Sequence, residues 1–166
     1  IFKVEKIQTH GGSIRIFIKK DKKTKIDKSI KKILGEEERY GIKDFKTYQN
    51  FGKKVYQIRK NVRKNISILN LKKSKIIGYG SPAKATTALN FFGISNEIDF
   101  IVEDNKLKQG KFLPGMKIPI INKKSLKGKP DYALVLAWNF FADIKEKNKN
   151  LAHKFISIKD LEKINL

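Results

Sequence analysis

The sequence predicts an α/β fold, a parallel β-sheet flanked by helices, preceded by a strand pair and a long amphipathic helix. Three observations carry this. From residue 74 onward short apolar runs alternate with helical patterns, as in parallel strands joined by crossover helices. Between Lys43 and Asn70 apolar residues recur every three or four positions. At residues 78–83 a strand runs through a glycine-rich turn directly into a helix.

The elements follow in chain order. "IFKVEKI" at 1–7 and "SIRIFI" at 13–18 alternate apolar and polar residues and read as strands. "THGGS" between them is a turn, with Gly11 and Gly12 free to take positive φ. The pair is too small to form a core alone, so it is expected to complete a sheet whose other strands lie elsewhere. Ile26, Ile30, Ile33 and Leu34 form a short helical stripe that "GEEERYG" is expected to end. Phe45, Tyr48, Phe51, Val55, Ile58, Val62, Ile66 and Leu69 mark a long helix, interrupted only by Gly52, that covers a sheet. "SKIIGYG" then reads as strand, "PAKATTALNFFG" as helix and "NEIDFIVED" as strand. "MKIPIIN" is a short strand, "PDYALVLAW" a buried strand, "NFFADIKEKNKN" a helix, "HKFIS" a last strand and "IKDLEKINL" a short helix. The expected divisions are a strand pair at 1–19, a helical connector at 20–73 and an α/β domain at 74–166.

Composition limits the function classes. With 166 residues, 40% of them hydrophobic, the chain can bury one good core. No run approaches eighteen consecutive apolar residues, so no membrane span is expected. The chain opens on a strand-like segment at Ile1 without a leader pattern, and reads as a piece of a longer cytoplasmic protein. The absence of cysteine excludes disulfides and thiol catalysis, and with two histidines no metal site is expected here. A net charge of +22 points toward nucleic acid, but the cations are 34 lysines and only four arginines, spread over the whole chain. Bidentate phosphate and base recognition favours arginine. The expectation is a solvated, lysine-biased surface; steering of an anionic small substrate is a separate alternative, and a non-specific nucleic-acid-binding module is the reading that charge alone supports.

Gly78, Gly80 and Ala83 satisfy the G-x-G-x-x-G/A spacing of a Rossmann-like turn. Gly78 is expected to permit the bend, Gly80 to let a ligand approach the backbone, and Ala83 to allow close helix–strand packing. Pro82 falls near the first helical position, and the helix N-terminus offers N–H groups to an anion. Glu103, 25 residues after Gly78, stands where a ribose-binding acid is expected. The turn fits the NAD(P)-binding domain of a redox or sensory protein, and equally a turn that serves packing or another ligand.

Four ordered blocks add to this: "THGGSIR" at 9–15, "GYGSPAKATTALNFFGI" at 78–94, "DNKLKQGKFLPGMKIPI" at 104–120 and "PDYALVLAWNF" at 130–140. In these blocks the sequence resembles the S-adenosylmethionine-dependent C-methyltransferases that act on nucleotide-linked keto-sugars, and it is similar to their C-terminal, Rossmann-like domain. The resemblance implies an upstream methyltransferase domain holding S-adenosylmethionine, a zinc module before that, and residues 1–19 as the last strand pair of the methyltransferase domain. It implies a nucleotide-sugar substrate and inactivity of this fragment alone. His10 matches the histidine to which the family assigns the base role, in keeping with an imidazole's titration near neutral pH. Gly11 and Gly12 are candidates to bring backbone N–H groups to the substrate. Tyr79, Gly80, Ser81, Lys84, Lys108 and Asn139 are the further substrate-binding candidates, with Asn90, Gly110 and Lys111 near them. Lys84 is a diphosphate contact or a solvated lysine, and Asn139 a ligand contact or the cap of the next helix. Pro114 and Gly115 shape a turn, while His153 has no matching role. Where the family has aspartate and arginine before the asparagine of the third block, this chain has Glu103 and Asp104.

Overall fold

The computed structural model describes residues 1–164, which divide into two compact units, Ile1–Val55 and Tyr56 onward. The last two residues of the expected short helix at 158–166 lie outside the described residues; its described part contains a 3-10 turn at Leu161–Lys163. Residues 20–73, read as one connector, are shared between the two units.

In the first unit β1 (Lys3–Ile7) and β2 (Ser13–Phe17) pair antiparallel, with Val4 opposite Ile16. Helix α1 (Lys28–Tyr40) is capped by Asp27, whose carboxylate accepts the Ser29 N–H at 2.8 Å. The Ser29 hydroxyl accepts the Val4 N–H at 3.0 Å and ties α1 to the hairpin. The end expected in "GEEERYG" is where the helix closes: α1 runs through Gly35 to Tyr40 and stops on Gly41, the last residue of that block, in the left-handed conformation. A mid-helix glycine costs only about 0.5–1 kcal/mol, and caps at both ends together with the Lys6–Glu36 ion pair oppose it. Ile14 and Ile16 on β2, and Ile18 just past its end, remain exposed.

Helix α2 (Phe45–Leu71) continues through Gly52 without a break. Its second half carries Val62, Ile66 and Leu69 into the core of the second unit, each at most 2% exposed. There β3 (Ile76–Tyr79), β4 (Ile101–Val102), β5 (Ile120–Ile121), β6 (Tyr132–Val135) and β7 (Lys154–Ser157) form one parallel sheet, ordered β5-β4-β3-β6-β7. One face packs on α2 and α3 (Ala83–Phe92); the other packs on α4 (Phe141–Lys147) and the segments beside it. The parallel sheet flanked by helices, with a small antiparallel pair before it, is the fold the alternating pattern predicts. Strand order reverses between β3 and β6, so their carboxyl ends open the crevice where such sheets hold ligands. Among the described residues no helix is long and apolar enough to cross a membrane.

Gly78 lies inside β3 rather than at the bend. A Cβ there would stand 2.8 Å from Ile101 Cγ1 and 3.1 Å from Leu136 Cδ1, so its role is to let the neighbouring strands' side chains close over the sheet. Gly78→Ala is expected to destabilise the protein by about 1–3 kcal/mol through overpacking. Urea denaturation should show a lower midpoint with an unchanged slope.

Candidate functional site

The bend falls at Gly80, whose φ of +80° leads the chain out of β3. A Cβ on Gly80 would lie 3.0 Å from the Ala137 Cβ, just past β6, so the close approach there is to the protein's own neighbouring chain. Pro82 is extended (φ −69°, ψ 158°) and stands at the N-cap, one position before the helix proper. Ala85, fully buried, makes the tight helix–sheet contact expected of Ala83; Ala83 is exposed and faces a cleft.

Glu103, one residue past β4, holds this turn. One carboxylate oxygen accepts the Ser81 N–H at 2.8 Å and the Ser81 hydroxyl at 2.6 Å; the other accepts the Asn105 N–H at 3.0 Å. The Lys108 ammonium lies 3.9 Å from Glu103 and donates to the Ser81 carbonyl at 2.9 Å. Burial favours the neutral acid, but the Ser81 hydroxyl, the Asn105 and Ser81 N–H groups and the Lys108 charge together outweigh it and hold the carboxyl below its ordinary value. The Gln109 amide donates to the Glu103 carbonyl at 2.7 Å, extending the network into the following loop.

A cleft of about 550 Å³ opens beside this turn. Ser81, Thr86 and Thr87 line one wall, and Lys108, Lys111 and Phe112 the other. The second wall is a flap. Gly110 N–H donates to Ile120 O at 2.8 Å, Ile120 N–H to Lys111 O at 2.8 Å, and Leu113 N–H to Ile118 O at 2.9 Å. The Asn90 amide braces it, donating to Thr86 O on α3 at 2.8 Å and to Pro114 O at 3.1 Å. Gly115 (φ +80°) leaves room for this strut: a Cβ there would stand 2.3 Å from Asn90 Oδ1. Lys84 places its ammonium 4.1 Å from the centre of the Trp138 ring, past the end of β6.

The structure therefore brings Ser81 and Lys108 together in one cleft and sets Gly80 and Lys84 at the crevice. Tyr79 lies elsewhere. Strand alternation puts it with Ile77 on the α4 face, 3% exposed, its hydroxyl donating to Asp104 at 2.8 Å. Burial, then that bond, push the phenol up to about 12. Asn139 is exposed in the 3-10 turn Trp138–Phe140 and does not cap α4, whose N-cap residue is Phe140. In the first unit His10, Gly11 and Gly12 form the hairpin turn with φ of 56°, 91° and 122°. His10 is exposed there in a conformation uncommon for a residue with a side chain. Sequence reasoning overlooked Thr86, Thr87 and Phe112. Phe112 had a signal, an aromatic between two lysine-bearing positions and a proline in a loop. The threonines had none, because their wall exists only once the flap folds over α3.

A model of the C-methyltransferase C-terminal domain matches residues 8–157. The chain is 32% identical over 149 residues to the C-methyltransferase NovU of Streptomyces niveus. The match covers 88% of this chain and 36% of that protein, so the chain spans about a third of its relative's length.

Ser81→Ala removes the 2.6 Å charge-assisted bond and is expected to cost about 1.5–3 kcal/mol in chemical denaturation. Because Glu103 titrates lower folded than unfolded, its contribution is complete above the ordinary value of 4.5 and is lost as pH falls through the folded value. The stability gap between wild type and Glu103→Gln should therefore be constant near neutral pH and shrink in acid below that value.

Proposed function

Starting from a chain that belongs to the C-methyltransferase C-terminal domain family, we propose that it is the substrate-binding part of an enzyme that methylates carbon on a nucleotide-linked keto-sugar. The cleft between the start of α3 and the Lys108–Pro114 flap carries this reading. Its volume suits a nucleotide. Lys108 and Lys111 offer positive charge to a diphosphate, and exposed Phe112 offers a face on which a base can stack. Thr86 and Thr87 supply hydroxyl groups that fix orientation, and the Ser81 hydroxyl, which donates to Glu103, offers a substrate only its acceptor positions. Tyr79 supports the turn from behind and does not contact substrate.

His10 is assigned the base. Methylation next to a ketone requires removal of a proton from the α-carbon, and the electron pair then delocalises onto the carbonyl oxygen as an enolate. A neutral imidazole nitrogen of His10 takes that proton. Gly11, at positive φ in the same turn, is the backbone N–H candidate beside His10; the Gly12 N–H donates to the Thr9 carbonyl at 3.1 Å and is used within the turn. S-adenosylmethionine is the donor implied by the family. Lys108 and Lys111 make this cleft a poor seat for a sulfonium cation, and the proposal assigns the donor to an upstream methyltransferase domain, leaving the fragment alone inactive. A zinc module further upstream and a cytoplasmic location complete the proposal.

Calorimetric titration with a nucleoside diphosphate-sugar tests the reading. Saturable binding is expected, weakened at least tenfold by the pair Lys108→Gln and Lys111→Gln; absence of saturable binding, or equal affinity in that variant, contradicts it. In the full-length enzyme His10→Asn is expected to lower kcat by about 10²–10⁴-fold with little change in substrate binding, measured by product formation and by the same titration.

A further inference from the structure

The Gly78–Ala83 turn has the spacing of a dinucleotide site, yet its chemistry is different. In such a turn the pyrophosphate rests on backbone N–H groups that follow the second glycine, at the start of the helix. Here the first of these is Ser81, whose N–H is bonded to Glu103. The second is Pro82, which has no N–H. The Ser81 hydroxyl is engaged by the same carboxylate oxygen. The acid is equally committed: a carboxylate has about four acceptor positions, and Glu103 uses three on Ser81 and Asn105 with Lys108 beside them. Its side chain is 12% exposed. A ribose hydroxyl would find its acceptor occupied, and a pyrophosphate would meet a negative charge where it needs donors.

We infer that Glu103 is a specificity determinant: a built-in anion that fills the turn's own phosphate position and closes it to dinucleotides. Phosphate recognition is thereby left to the amines of the neighbouring cleft. The inference concerns the turn alone and holds whatever occupies that cleft.

Removing the carboxylate creates the test. Glu103→Ala leaves a void bordered by the Ser81 N–H and hydroxyl, the Asn105 N–H and the Lys108 ammonium. Acetate, compared with chloride at equal ionic strength, is expected to raise the melting temperature of Glu103→Ala by several degrees and leave wild type unchanged. Inorganic pyrophosphate is expected to bind Glu103→Ala at least tenfold more tightly than wild type by calorimetry. Glu103→Gln keeps the shape, removes the charge and guards against a variant that fails to fold; it should gain at least tenfold for pyrophosphate, without the acetate effect. Wild type binding pyrophosphate within tenfold of the folded variants, or acetate acting no better than chloride on a folded Glu103→Ala, would overturn the inference. The nucleoside diphosphate-sugar is not used, so failure of the cleft assignment leaves this result readable.

Discussion

The carboxylate of Glu103 is the fixed point of the second unit's ligand edge. It ties the residue after β4 to the turn after β3 through two bonds to Ser81. Lys108 closes the same knot from the flap side by donating to the Ser81 carbonyl. Two sheet strands, the start of α3 and the flap thus meet at one partly buried ion, and the cleft wall inherits its position from that ion. A hydrogen bond to a charged group in a shielded place is among the stronger polar contacts a protein makes. The knot is local, and it is needed because β4 and β5 are only two residues long. Their short ladders cannot alone set the geometry of the loops that leave them.

Much of the fold was readable because the signals were periodic. The apolar stripe of α2 foretold that Val62, Ile66 and Leu69 reach the core, but its first half did not follow: Phe45, Tyr48 and Phe51 remain exposed. The alternation of strand and helix after residue 74 foretold the parallel sheet. Strand order was not readable, since it depends on long-range pairing. Nor was the extent of β4: "NEIDFIVED" has the composition of a longer strand, but only Ile101 and Val102 find partners on both sides. The end of α1 within "GEEERYG" was readable, because Gly41 supplies the left-handed cap that closes a helix.

The site was legible in a different degree. Ser81 and Lys108 were picked from a glycine turn and a lysine loop, and they share a cleft. Tyr79 was picked for its place in the same turn, yet the two-residue period of a strand already put it on Ile77's face. Roles within the turn were harder. Gly78 answers to Ile101 and Leu136, Gly80 to Ala137, and Ala85 rather than Ala83 to the sheet. Spacing motifs record where small residues must stand; the side chains arriving from other strands decide why.

Backbone amide chemical-shift mapping of this chain during titration with a nucleoside diphosphate-sugar tests the central claim most directly. The largest changes are expected at Ser81–Thr87 and Lys108–Phe112, with residues around His153 and Lys154, at the lysine-lined opening beside β7, unaffected. Changes concentrated beside β7, with none in the cleft, would contradict it.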